Sequence, residues 1–118
     1  MFTPESAVSS FRNILERSAT ALEQEVSYAQ NQMIRMEDAI VALNPIEFDR
    51  AAEEFTMAMR DCAVLINAGQ HAVMFLAVAG LTNDQEYHAD AIGEADAECK
   101  KMSAIFADVI AQRQAEFI

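Results

Sequence analysis

The stretch Cys62–Leu81 reads CAVLINAGQHAVMFLAVAGL and contains no charged side chain. Only Asn67, Gln70 and His71 break its apolar run. An amphipathic surface helix keeps one polar face, and this stretch barely has one. Its length matches a membrane span. Three polar groups at its centre are costly in lipid, however, and both flanking segments carry the apolar spacing of long amphipathic helices. The reading is therefore the central helix of a bundle, apolar enough to need cover on several sides at once.

Working upstream, Asn44-Pro45-Ile46-Glu47 forms a helix start: Asn as cap, Pro at the first helical position and Glu three residues after the cap. From there Phe48, Ala52, Phe55, Met59, Cys62, Ile66, Gly69, Val73, Leu76 and Gly80 alternate in steps of four and three, an unbroken heptad seam. Before Asn44, the residues Leu15, Ala19, Leu22, Val26, Ala29, Met33, Met36, Ile40 and Leu43 make a second such seam. Thr3-Pro4-Glu5 marks its helix start. Downstream, Gly80 suits a helix C-terminus, and Thr82 with Gln85 suits the next capping box. A third, thinner seam runs Ile92, Ala95, Cys99, Met102, Phe106, Val109, ending in Phe117 and Ile118.

These patterns predict an all-α, antiparallel bundle of three long helices, at about 4–43, 45–79 and 83–117. Residues 1–118 form a single helical-bundle domain in this reading. The short turns make neighbours antiparallel. Reflection about them layers Val26 against Cys62, Met33 against Phe55, and Cys62 against Cys99.

Composition narrows the function classes. With 19 acidic against 8 basic residues the formal net charge is −11, which disfavours nucleic acid and anionic lipid as partners. Three Gly and two Pro are too few for a many-stranded β protein. Two cysteines without a CxxC spacing read as buried, reduced thiols. The N-terminal Met-Phe-Thr-Pro-Glu-Ser has no basic segment followed by an apolar core. The expected location is cytoplasmic, or exported without a cleavable signal.

No catalytic, cofactor-binding or metal site emerges. His71 and His88 lie near acids in the folded hairpin, but neither sits in the Glu-x-x-His pattern of di-iron bundles. Residues Asp84 to Glu98 form an acidic run that reads first as a solvated helix face. No nucleophile–base set or phosphate loop is present, so the chain reads as a non-enzyme without cofactors.

What the sequence does offer is surplus apolar surface. Beyond its seam, helix two carries Leu65, Ala68, Ala72 and Phe75 on one line and Val64, His71 and Val78 on another. Met57 and Met74 also lie off the seam. With Asn67 and Gln70 as polar register-setters, these eleven residues are the expected interface. Methionines give such a surface adaptability. The expected function is non-catalytic protein–protein interaction: a small acidic adaptor, or a chaperone of the kind that serves secretion, shielding a helical partner. The alternative is a self-assembling structural subunit, a homo-oligomer or filament of helical hairpins. A ferritin-like or cofactor-binding bundle stands third.

Overall fold

The computed structural model describes residues 4–80 and 85–117. It contains α1 (Pro4–Val41), α2 (Pro45–Val78) and α3 (Glu86–Glu116), running up, down and up. The molecule measures 60 × 24 × 15 Å, the shape set by the length of α1. The three-helix expectation holds, with ends a few residues shorter than the sequence spacing suggests. Thr3 and Thr82, the other two expected caps, lie outside the described residues.

The α1–α2 turn is built from three residues. Leu43 adopts a left-handed backbone (φ 55°). Its N–H donates to the Ile40 carbonyl at 3.1 Å, and the Asn44 N–H donates to the Ala39 carbonyl at 2.9 Å. This is the paired bonding that closes a helix whose next residue is left-handed. Asn44 then opens α2: its Oδ1 accepts from the Glu47 N–H at 3.1 Å. One residue thus ends one helix and caps the next. Gly80, also left-handed (φ 72°), follows the end of α2.

The buried side chains form one continuous cluster along the seams. Leu15, Leu22, Met36, Phe48, Phe55, Cys62, Leu76 and Ile92 are its largest fully enclosed members. On α2 the buried face includes Ala51, Ala58 and Ala72 as well as the heptad positions, whereas Ala52, Met59 and Val73 are only half-buried. Small side chains let helix axes approach closely. α1 and α2 form the tight pair, and α3 packs more closely on α1 than on α2.

The two ends of the bundle differ. At the end holding the α1–α2 turn, Phe55 stacks on Phe106 (4.7 Å between centroids) and Phe48 meets Phe117 edge-on (6.3 Å). Arg113 lies over both Phe48 and Phe117 and binds Asp49 with two bonds of 2.8 and 2.9 Å. At the other end α3 offers mostly small side chains. Only Ile92 and Cys99 are buried in its first half, and Ile92 reaches α2 because residue 69 is Gly. A Cβ there would lie 2.6 Å from Ile92 Cδ1.

Candidate functional site

The expected interface residues divide once the fold is in place. Ala72 is fully enclosed in the chain's own core. Helix α2 is rotated so that Ala51, Ala58 and Ala72 face inward, which takes Ala72 off the outer surface. Phe75 is half-buried and stacks on Phe11 of α1, centroids 4.1 Å apart. Leu65 packs against the core and Ala68 is half-buried. The rest face outward. Met57 is 57% exposed, Val64 68%, Met74 65% and Val78 92%; Asn67, Gln70 and His71 are exposed beside them.

The outward residues form a surface by helical geometry. Met57, Val64, His71 and Val78 recur every seven residues and so line one edge of α2. Asn67 and Met74, also seven apart, run beside them. From Cys62 to Gly80 nothing in the sequence is charged, so the part of this face from Val64 to Val78 carries no charge of its own in a chain of net charge −11. Met57 lies before it, between the exposed Glu53 and Arg60. By length and composition α2 is apolar enough to cross a membrane, and only 28% of its most apolar window is buried inside the molecule. Neither α1 nor α3 supplies the missing cover.

A second exposed apolar group sits at the hairpin tip. Val41 is 85% exposed, Leu43 66% and Ile46 73%. Heptad spacing places Leu43 on the α1 seam, but the helix ends two residues earlier and the left-handed turn swings it outward.

The cysteines meet as expected. Cys62 and Cys99 are buried, free thiols, adjacent across the α2–α3 contact. Burial, with a smaller contribution from Cys99, pushes the Cys62 thiol up to about 12. Burial likewise raises Cys99. Thiols kept protonated in this way are poor nucleophiles and poor ligands. Among the described residues no three His, Cys, Asp or Glu side chains gather as a metal set would require. His71 stands exposed on the α2 face, while His88 is half-buried with its ring edge-on to Tyr87 at 5.4 Å.

A polar network across α1 and α2 was not legible in the sequence. The Arg35 guanidinium donates to Glu47, to Glu54 at 2.8 Å and to the buried Gln32 at 2.6 Å; Tyr28 Oη donates to Glu54 at 3.1 Å. The hydrogen bond from Arg35 holds the Glu47 carboxyl below its usual range. These groups join residues far apart in sequence, so heptad logic passes over them. They tie α1 to the first half of α2 and so pin the register of the hairpin.

No protein-family model, curated protein or solved structure matches the chain.

Proposed function

We propose that this protein is a non-catalytic interaction module, a small acidic adaptor or chaperone that covers an apolar helical segment of a partner. One observation carries the reading: the second half of α2 presents an outward face that is apolar, uncharged and left open by its own bundle. Isolated exposed apolar residues are ordinary on protein surfaces, but contiguous ones mark contact sites. Met57 and Met74, unbranched and adaptable, suit contact with varied side chains. The acidic remainder of the surface keeps a chain with such a face in solution. A cytoplasmic setting fits this role.

A second reading has its own support. The sevenfold spacing of Met57, Val64, His71 and Val78 is that of a coiled-coil seam. Two copies of the chain could meet along it without bringing like charges together, in a symmetric assembly.

The test is co-purification from the native host with the wild type and with a Val64→Asp/Val78→Asp variant. Both positions are exposed, so the variant should retain its helical circular-dichroism signal. The wild type is expected to retain a partner in fixed ratio, which the variant loses. Recovery of the same proteins by both would sink the reading. Sedimentation of the purified chain separates the two alternatives: a large ring or fibre means self-assembly.

A further inference from the structure

A different surface, independent of the α2 face, carries a second inference. Between α1 and the first half of α3 runs a groove of about 690 Å³. Ala19, Leu22 and Val26 from α1, with Ala91 and Ala95 from α3, supply the apolar part of its lining, and Thr20 and Ser27 add polar groups along α1. The small side chains of Ala19 on α1 and of Ala91 and Ala95 on α3 leave this space between the two helices unfilled. Gln30 Nε2 donates to Glu98 Oε1 at 3.2 Å across the two helices and bounds the groove at one end. From Ala19 to Gln30 the α1 wall is about 16 Å long, at about 1.5 Å per residue.

Its rim has one sign of charge. Glu23 on one side and Glu94 and Glu98 on the other line the groove, with His88 near the latter, and among the described residues no Lys or Arg does. Tyr87, 81% exposed, stands at the mouth with its ring against His88. A large aromatic left in solvent beside carboxylates is a favourable seat for an ammonium or guanidinium group. Apolar lining, acidic rim and exposed aromatic together describe one kind of occupant. We propose that the α1–α3 groove docks a short cationic amphipathic peptide segment of a partner protein. Its apolar side chains enter between Ala19, Val26, Ala91 and Ala95. Its Lys or Arg side chains reach Glu23, Glu94 and Glu98 and stack at Tyr87. The acidic run of α3 then acts as one wall of a binding groove, and carboxylates facing a basic segment raise its rate of capture and select its orientation.

The experiment measures fluorescence anisotropy of a labelled leucine–lysine peptide of helical amphipathic pattern, at low and at physiological salt. A peptide of the same composition in scrambled order controls for net charge. Three variants of the full chain are compared, each checked for an unchanged thermal transition. One is Glu23→Gln/Glu94→Gln/Glu98→Gln. The second, Glu53→Gln/Asp108→Asn/Glu116→Gln, makes the same change in net charge away from the groove. The third, Ala95→Leu, fills the groove with its charges intact. Expected is a roughly tenfold loss of affinity in the first and third, little change in the second, and weaker binding of the scrambled peptide. Equal loss in both charge variants, or equal binding of both peptides, would mean attraction to an acidic chain only and would overturn the proposal. So would binding that survives Ala95→Leu. Displacement of the peptide by spermidine at matching concentrations would assign the groove to small organic cations instead.

Discussion

Leu43 sits where helices usually place Gly, in a left-handed conformation that disfavours a Cβ. It is 66% exposed, so its side chain returns little packing for that strain. Leu43→Gly should therefore stabilise the fold by about 1 kcal/mol, read as a higher midpoint in urea with an unchanged slope. A lower midpoint would mean that Leu43 packs on something its exposure does not reveal. Glu47 makes a second prediction at this scale. Its carboxyl is held below the usual 4.5 chiefly by the hydrogen bond from Arg35. A group with a depressed folded pKa contributes stability above its unfolded value and loses it as pH falls through the folded value. The loss should begin near pH 4.5 and deepen below it, and Glu47→Gln should flatten that part of the stability curve. An unchanged acid limb would show that the Arg35–Glu47 contact is not maintained in solution.

At the scale of the elements, the two helical glycines answer to different surroundings. Gly93 meets nothing within 4 Å of a built Cβ, while Gly69 faces Ile92 at 2.6 Å. Gly93→Ala should gain about 0.5–1 kcal/mol from helix propensity alone. Gly69→Leu should cost about 1–3 kcal/mol by pushing α3 off α2, and thermal melts of the two variants would move in opposite directions. The helices themselves were legible in the sequence, because Pro45 with Asn44 and three heptad seams agree about where elements start and which face is buried. Less legible was the rotation of α2. Heptad counting treated Ala52, Met59 and Val73 as core and Ala72 as surface, but close packing against α1 turned Ala51, Ala58 and Ala72 inward. The rotation is set by axis separation, which depends on side chains of both helices at once. The Arg35 network and the outward turn of Leu43 and Ile46 escaped because both depend on the geometry of the α1–α2 turn, which no spacing rule encodes.

For the whole molecule, the asymmetry between ends is the feature that bears on function. At one end α3 is locked onto α2 by two phenylalanine pairs and the Arg113–Asp49 pair. The other combines the uncharged face of α2 with the acidic-rimmed groove beside α3. Both surfaces lie in the same half of the bundle, so a partner could engage one helix on the α2 face and a basic segment in the groove. Two linked contacts of modest strength would then add through effective concentration. The central claim is that the outer face of α2 is covered by another polypeptide. Site-specific photo-crosslinking in the native host tests it most directly, with a benzophenone amino acid placed at Val64 or Val78 and, as a control, at Lys101 on α3. The account predicts a discrete adduct from positions 64 and 78 and none from 101, with the crosslink mapping to an amphipathic helical segment. No adduct from either α2 position, or the same adducts from all three, would contradict it.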